Sequence, residues 1–366
     1  MSKADVIVIG GGIAGVSAAA ELAADASVLL LEAEPQVGYH STGRSAAVFI
    51  RNYGNATLRQ LNAAAAPLLE APEGVSDRSL LSPRGELIIA TDVELPALDE
   101  YADGATGLER LTAHEAQELV PILRADRIAA AVIEWDAQDI DVNRMLSGYM
   151  RLLKRRGGRV VTGARVEWIE KSGPAWQVRA GGNLYEGACV VNAAGAWSGI
   201  VGEMAGAVDP KLQPLRRSAA ILPAPAGHDP RRWPVVANAA ESWYAKPEAG
   251  KLMVSPADED PVEPQDAWVD DMVLAEGLHR FEQAVTVTVD RVEHSWAGLR
   301  TFAPDRTPVV GYDPHTDGFF WLAGQGGYGV QTAPAMARLT ADLVTGRVAS
   351  IDPACLAALS PARFVA

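Results

Sequence analysis

The 366-residue sequence contains few cysteines and no excess of positive charge. Its two cysteines, Cys189 and Cys355, provide neither a disulfide framework nor a cysteine-based metal cluster, and no CxxC motif occurs. The net charge of −14 argues against nucleic acid and anionic membrane surfaces as partners, because both require a basic patch. The six histidines show no spacing typical of metal ligands, so we expect no metal site.

Long apolar runs are also missing. No stretch reaches the ~18 apolar residues that a membrane-spanning helix needs, so we expect a cytoplasmic protein without a membrane span. The length exceeds what a single hydrophobic core usually supports, which predicts two domains. A monomer or weak dimer is expected.

A glycine-rich loop follows a short apolar strand near the N-terminus. In a dinucleotide-binding loop, Gly10 would allow a tight turn and Gly12 the approach of a pyrophosphate, and Gly15 would let helix and strand pack closely. The free N–H groups at the start of the following helix, at Ile13 and Ala14, would add an anion site.

A second apolar strand, residues 28–31, ends in Glu32. The Glu32 carboxylate is placed to accept both hydroxyls of an adenosine ribose, and it would repel the 2′-phosphate of NADP. Strand, loop, helix, strand and acid in this order predict a cofactor that contains ADP.

The remaining chain predicts an α/β fold with two domains. Strand and helix patterns alternate up to residue 211, and from Leu212 the chain changes to β-strands with many prolines. Here we predict a strand over residues 285–291, preceded by a helix over 268–282, and later an alanine-rich helix over 332–343. The nucleotide-binding domain is predicted from residues 1–80, 141–209 and 303–366, and the sheet domain from 81–140 and 210–302.

Seven stretches resemble one family of flavoenzymes. They lie at residues 38–47, 81–84, 190–197, 212–214, 216–218, 296–300 and 325–329, the last with Gln331. Over essentially the full length, the chain resembles the D-amino-acid oxidase/glycine oxidase superfamily of FAD-dependent oxidoreductases, and within it the D-arginine dehydrogenases. The resemblance implies a Rossmann-like FAD-binding domain and a substrate-binding domain with a mixed, mostly antiparallel β-sheet.

The resemblance also implies a reaction. An α-amino acid is oxidised to the imino acid by hydride transfer from Cα to flavin N5, and the imino acid hydrolyses to a keto acid and ammonia. Arg217 and Arg300 match the guanidinium groups that bind the substrate carboxylate, and a planar fork fixes its orientation. Tyr244 matches a hydroxyl donor to the same carboxylate, and Tyr53 matches a tyrosine on a mobile loop that covers the substrate.

Four further residues are expected to line the substrate pocket. Glu86 matches a carboxylate that receives the guanidinium of D-arginine, whereas Val48 stands where related enzymes have a histidine. The Gly327 carbonyl matches one that faces the amine, and Gln331 lies one helical turn further on. The side-chain preference therefore stays open between basic and apolar substrates.

The remaining matches assign residues to FAD. Beside the glycine-rich loop and Glu32, they are His40, Ser41, Thr42, Arg44, Ser45, Ala46, Ala47, Val166, Ala194, Gly195, Trp197, Arg300, Gly324, Gly326, Gly327, Tyr328, Gly329, Val330 and Gln331. Family members with covalent flavin use a cysteine in the region of residues 300–312, where this chain has none, so FAD is expected to be non-covalent.

The electron acceptor is not specified by the sequence. Oxidases of the family often place a lysine over N5, and the alignment puts an apolar residue of the segment 251–254 there, although a one-residue shift would bring in Lys251. This favours a dehydrogenase over the alternative, a glycine, sarcosine or other secondary-amine oxidase that produces hydrogen peroxide. An NAD-linked dehydrogenase and a non-catalytic flavin subunit are two further alternatives, and the arginine pair argues against both.

Overall fold

The computed structural model describes residues 2–349 and 351–365. The helices are α1 (Ile13–Leu22), α2 (Ala56–Glu70), α3 (Leu95–Ala102), α4 (Ala113–Leu119), α5 (Val142–Arg155), α6 (Ser198–Met204), α7 (Asp271–Ala284), α8 (Gly329–Val344) and α9 (Pro353–Leu359). The strands are β1 (Ser2–Ile9), β2 (Val28–Leu31), β3 (Val48–Phe49), β4 (Leu81–Pro83), β5 (Glu86–Ala90), β6 (Leu108–Leu111), β7 (Ala130–Glu134), β8 (Gln138–Ile140), β9 (Arg159–Val161), β10 (Val166–Ser172), β11 (Ala175–Ala180), β12 (Asn183–Asn192), β13 (Gln213–Leu222), β14 (Val235–Asn238), β15 (Tyr244–Glu248), β16 (Lys251–Ser255), β17 (His294–Phe302), β18 (Val309–Tyr312) and β19 (Phe319–Ala323).

The first sheet is built around the N-terminal strand. Its order is β10-β11-β12-β1-β2-β9, with β19 beside β12 and β18 beside β19. Four pairs are parallel: β1 with β12, β1 with β2, β2 with β9, and β12 with β19. The pairs β10 with β11, β11 with β12, and β18 with β19 are antiparallel. Residues 6–9 and 28–31 are all buried, as expected for parallel strands covered on both faces. Helix α1 packs against α5 and α8 over this sheet.

The second sheet has the order β17-β13-β16-β15-β14-β5-β7-β6. It is antiparallel except for the β5–β14 pair. The short strands β3, β4 and β8 form a third, small sheet. The predicted α/β fold, with a Rossmann-like sheet and a mixed, mostly antiparallel second sheet, is confirmed; the domain boundaries stay a prediction. No helix in the described part of the chain is both long and apolar enough to cross a membrane.

The strand predicted over residues 285–291 was wrong. These residues form a loop, and the edge strand of the second sheet is β17, which starts at His294. The alternating Val285, Val287 and Val289 pack on the core of the second sheet, which explains the strand-like pattern. Val285 forms an isolated antiparallel bridge with Leu123, but no ladder continues from it, and β17 pairs with β13 only from His294 onward, opposite Ile221. Helix α7 begins three residues later than predicted and α8 three residues earlier.

Candidate active site

A cavity of about 440 Å³ runs from the glycine-rich loop after β1 to strands β13 and β17 of the second sheet. It lies at the carboxyl ends of β1, β2 and β12, where parallel sheets usually bind nucleotides. The predicted residues that line it are Gly10, Gly12, Ile13, Ala14, Glu32, His40, Ser41, Thr42, Arg44, Ser45, Ala46, Val166, Ala194, Gly195, Trp197, Arg217, Tyr244, Arg300, Gly326, Gly327, Gly329 and Val330.

The glycine-rich loop has the close contacts that its sequence predicts. Gly10 has φ +108°, and a Cβ there would lie 2.3 Å from the carbonyl oxygen of Ala193. A Cβ on Gly15 would lie 1.9 Å from the Gly10 carbonyl oxygen, so Gly15 packs behind the turn and does not line the cavity. Helix α1 starts after Gly12 without a side-chain cap, which leaves N–H groups for an anion. The Ile13 N–H already donates to Thr42 Oγ1, at 3.0 Å.

Glu32 is held in place at the end of β2. Its carboxylate accepts hydrogen bonds from the backbone N–H groups of Gly11, at 2.5 Å, and Glu34, at 2.7 Å. Each oxygen keeps a second lone pair, so both can still accept from ribose hydroxyls. This end of the cavity therefore fits the ADP part of a dinucleotide. Sequence reasoning missed Ile200 and Met204 here, two exposed apolar residues of α6 whose only signal was their position just after the small-residue loop 193–198.

The loop over residues 38–47 connects the two sheets. Ser41 Oγ donates to the Leu299 carbonyl oxygen at 2.6 Å, and the Arg44 guanidinium donates to the Ala297 carbonyl oxygen at 2.9 Å. Arg44 also pairs with Asp266, at 2.5 Å. Arg44 thus lines the cavity, but its guanidinium holds β17 against the loop. At the end of the loop, Ala47 lies outside the cavity lining and has φ +57°, a strained value for a residue with a Cβ.

Arg217 and Arg300 lie on one face of the second sheet. In the β13–β17 ladder Arg217 is opposite Gly298 and Leu215 is opposite Arg300, so the two arginines are diagonal neighbours. Because side chains alternate along a strand, the adjacent Arg216 lies on the other face, where it pairs with aspartates. The register therefore brings two guanidinium groups to the same part of the cavity.

The Arg300 guanidinium lies between Gly327 and Tyr53. Its Nη1 is 3.4 Å from Tyr53 Oη, and a Cβ on Gly327 would lie 2.9 Å from the same nitrogen. Burial alone would lower the pKa of Arg300, but Tyr53, Tyr244 and Glu259 outweigh it and raise the pKa. Within residues 2–349 and 351–365, no carboxylate forms an ion pair with Arg300. A buried cation without an anion is costly, so the site favours an anionic ligand.

Arg217 has a partner in the protein. Its Nη2 donates to Glu259 Oε1 at 2.9 Å, and its Nε donates to the Asp258 carbonyl oxygen at 2.9 Å. Burial, followed by the charge of Arg300, lowers the pKa of Arg217. Sequence reasoning missed Glu259; the only signal was the acidic run at residues 258–260.

The Tyr53 loop is fixed by buried amides. Gln331 does not line the cavity: its Nε2 donates to the Ile50 carbonyl oxygen and its Oε1 accepts from the Ile50 N–H, both at 3.2 Å. Asn62 donates to the carbonyl oxygens of residues 50, 51 and 53. Tyr53 itself lies outside the cavity lining: its ring packs on Tyr328, with centroids 4.6 Å apart, and its hydroxyl accepts from Arg300. Gln331 therefore positions the loop that carries Tyr53.

Glu86 and Val48 are not brought to the lining of the cavity. Glu86 is buried on β5, opposite Glu134 on β7, and accepts from the Tyr101 hydroxyl at 3.1 Å. Burial and the neighbouring Glu134 raise the pKa of Glu86 to about 8. Val48 lies in β3 and pairs with Asp139. Gly324 and Tyr328 also lie outside the lining, at the turn and the helix cap that surround the loop 325–327.

The structure separates Lys251 from the cavity. Its ammonium group pairs with Glu293, and its side chain is half exposed. Met253, two residues along β16, lines the cavity instead. Of the two alignments considered for this strand, the one that puts an apolar residue, and not Lys251, near the flavin site therefore agrees with the side-chain positions. No group of three or more histidine, cysteine, aspartate or glutamate residues in the described ranges could hold a metal ion.

Comparison with known proteins shows that most of the chain matches one protein family. Residues 5–343 match the FAD dependent oxidoreductase (DAO) family. The FAD-dependent oxidoreductase domain-containing protein 1 of Bos taurus is 30% identical over 175 residues, 43% of this chain and 36% of that protein. The chain thus spans about a third of that relative's length.

Two solved structures have the same fold over nearly their whole length. Glycine oxidase from Geobacillus kaustophilus superposes with a TM-score of 0.86 at 23% identity and covers 100% of both chains. L-Proline dehydrogenase from P. horikoshii superposes with a TM-score of 0.84 at 21% identity and covers 99% of this chain and 98% of its own.

Proposed function

Because this chain belongs to the DAO family of FAD-dependent oxidoreductases, we propose that it is a D-amino-acid dehydrogenase. It oxidises the amino acid to the imino acid, which water converts to a keto acid and ammonia. The preference for the D-enantiomer rests on the resemblance of residues 38–47, 296–300 and 325–329 to that group of enzymes.

The observation that carries the proposal is the arginine pair at one end of the cavity. Arg217 and Arg300 lie diagonally on β13 and β17, and Tyr244 lines the cavity beside them. Two guanidinium groups and a hydroxyl form a site for one carboxylate, held by charge-assisted hydrogen bonds. The other end of the same cavity has the nucleotide-binding loop, so a bound carboxylate lies next to the cofactor.

The residues of the chain bind and orient the substrate. Arg300 and Arg217 bind its carboxylate, Tyr244 and Tyr53 donate hydroxyl hydrogen bonds, and the Gly327 carbonyl accepts from its amine. Oxidation removes a hydride from Cα and a proton from the amine nitrogen, which leaves a C=N double bond. Only the neutral amine has the lone pair that forms this bond, so activity should rise as the bound amine loses its proton.

FAD, when bound, supplies the hydride acceptor. The N-terminus of α1 and the turn at Gly10 fit its pyrophosphate, and Glu32 fits the ribose of its adenosine. The N-terminus of α8, which starts at Gly329, would stabilise negative charge on the reduced ring. We propose non-covalent binding because Cys189 and Cys355 are both buried outside the cavity lining.

The buried Glu86 bears on the side-chain preference. With its pKa raised to about 8 by burial and by Glu134, Glu86 is largely protonated at neutral pH. Because Glu86 also lies outside the cavity lining, it supplies no charged partner for a substrate guanidinium, which favours an apolar side chain such as that of D-leucine. Met253 at the cavity, with Lys251 outside it, supports a dehydrogenase.

A second candidate is an oxidase of glycine or a secondary amine. The full-length fold similarity to a glycine oxidase favours it. The two candidates differ in their products, because an oxidase passes electrons to oxygen and forms hydrogen peroxide. They also differ in the size of the side chain that the site accepts.

Anaerobic mixing tests the proposal. The purified FAD-loaded protein is mixed with D-arginine, L-arginine, D-leucine or glycine, and the visible flavin absorbance is followed. Rapid bleaching by the D-amino acids alone is the expected result. Bleaching by glycine with peroxide formation in air would favour the second candidate, and a flavin that stays oxidised with all four compounds would refute the proposal.

A further inference from the structure

Three successive acids follow β16, and the two outer ones anchor the segment to β13. Asp258 accepts from the Ser218 N–H at 2.6 Å and from Ser218 Oγ at 2.8 Å. Asp260 pairs with Arg216 Nη2 at 2.6 Å, and its carbonyl oxygen accepts from the Arg216 N–H at 2.9 Å. The middle acid, Glu259, is therefore held at the edge of the strand that carries Arg217.

Glu259 joins two guanidinium groups. Its Oε1 accepts from Arg217 Nη2 at 2.9 Å and from Arg306 Nη2 at 2.8 Å, and its Oε2 accepts from Arg306 Nη1 at 3.0 Å. Arg306 in turn lies over the Phe302 ring, 4.0 Å from its centroid. Burial would raise the pKa of Glu259, but Arg306 and Arg217 outweigh it and lower the pKa, so the carboxylate is ionised at neutral pH.

This carboxylate changes what the arginine pair can accept. Arg217 already donates to Glu259 and to the Asp258 carbonyl oxygen, whereas Arg300 donates to Tyr53 alone, at 3.4 Å, among the residues that the structure describes. A substrate carboxylate on Arg217 and Arg300 would thus lie about one guanidinium group away from a fixed negative charge. A second carboxylate on the substrate would add like-charge repulsion, which at an effective dielectric constant of about 20 and a separation of roughly 6 Å lowers the affinity by up to about a hundredfold.

We propose that Glu259 is a specificity-determining residue, which restricts the site to substrates with a single carboxylate. The inference rests on the assignment of Arg217 and Arg300 to carboxylate binding under the proposed function. Glu259 neutralises part of the arginine cluster in the free enzyme, and it disfavours ligands that bring two negative charges. Amino acids with a neutral or basic side chain are then the substrate class, and acidic amino acids are excluded.

Binding of simple anions tests the inference without turnover. Acetate and malonate, with one and two carboxylates, are titrated into the oxidised FAD-loaded enzyme and followed by calorimetry and by the flavin spectrum. The Glu259→Gln variant keeps a hydrogen-bond acceptor for Arg217 but loses the charge. The ratio of malonate affinity to acetate affinity should be about tenfold or more higher in this variant than in the wild type. Glu263→Gln is the matched control, since Glu263 is an exposed glutamate of the same segment, and its ratio should equal that of the wild type.

A second variant moves the ratio in the opposite direction. Arg306→Gln removes a cation that neutralises Glu259, so malonate should weaken relative to acetate. Equal ratios in the wild type, Glu259→Gln and Arg306→Gln proteins would overturn the inference. If the anions bind but no D-amino acid is oxidised, the proposed function fails and the ratio still decides the role of Glu259. If neither anion binds to any of the proteins, the carboxylate site and the inference fail together.

Discussion

Replacement of Arg300 by alanine tests the carboxylate site directly. The Arg300 side chain packs against Gly327 and Tyr53 at the end of the cavity that β13 and β17 line. The contacts of β17 with the cofactor loop use the backbone carbonyls of Leu299 and Ala297, not the Arg300 side chain. The Arg300→Ala variant should therefore fold and retain FAD while losing the substrate.

The size of the effect follows from the bonds lost. A hydrogen bond to a charged group contributes about 1.5–3 kcal/mol, so a bidentate pair contributes about 3–6 kcal/mol. Since about 1.4 kcal/mol is tenfold, kcat/KM should fall by about 10²- to 10⁴-fold in Arg300→Ala. Arg300→Lys keeps the charge but loses the planar fork, so its decrease should be about 10- to 100-fold.

The assay is steady-state oxidation of a D-amino acid with an artificial electron acceptor, normalised to the flavin content of each protein. Arg291→Ala is the matched control, because Arg291 is an exposed arginine in the loop before β17, paired with Glu293. Its kcat/KM should equal that of the wild type. An unchanged kcat/KM in an Arg300→Ala protein with full flavin would refute the assignment of Arg300 to carboxylate binding.

Three further predictions concern the cofactor loop, a buried acid and the excluded lysine. Gly15→Ala should lose FAD and lower the Tm, because the new methyl group would lie 1.9 Å from the Gly10 carbonyl oxygen; flavin content and thermal unfolding measure both. The folded protein holds a proton on Glu86, whose pKa rises from 4.5 to about 8, while the unfolded chain releases it, so stability should fall as the pH rises through this interval. Glu86→Gln should reduce that fall when thermal unfolding is compared at about pH 5 and about pH 8.5, and an equal fall in both proteins would contradict the assignment. Lys251→Met should leave peroxide formation in air unchanged, because the Lys251 ammonium pairs with Glu293 outside the cavity; a large change would place this lysine at the flavin.

The close contacts of the glycine-rich loop and the position of Glu32 could be predicted because they are local. Gly10, Gly15 and Glu32 act within one βαβ unit of about thirty residues, in which the chain order fixes the geometry. The start of helix α5 is equally local, since Asp141 caps it by accepting from the Arg144 N–H three residues later. Such features need no knowledge of how distant segments pair.

Residues that act through distant contacts were harder to place. Gln331 follows the glycine loop, which suggested a place at the ligand, but its amide bonds Ile50, which is 281 residues away in sequence. The alternating valines at 285–289 matched a strand because periodicity records burial on one face, whereas the segment forms only an isolated bridge, between Val285 and Leu123. In both cases the sequence pattern was present, but the position of the residues in the fold depended on a contact with a distant segment, which the pattern does not specify.

Arg216 and Arg217 on β13 show most clearly that a local pattern does not specify its distant partners. Arg216 and Arg217 are adjacent and chemically identical, and only the β13–β17 register determines which of them lies at the cavity. The acidic run at residues 258–260 alternates in the same way, so Glu259 meets Arg217 while Asp260 meets Arg216 on the other face. Two charged stretches some forty residues apart thus divide into two sets of ion pairs, one that includes the cavity-lining Arg217 and one on the opposite face of the strand. The assignment of each charge to a set is a property of strand register, because a shift of one residue would exchange the arginines and put Arg216 beside Arg300.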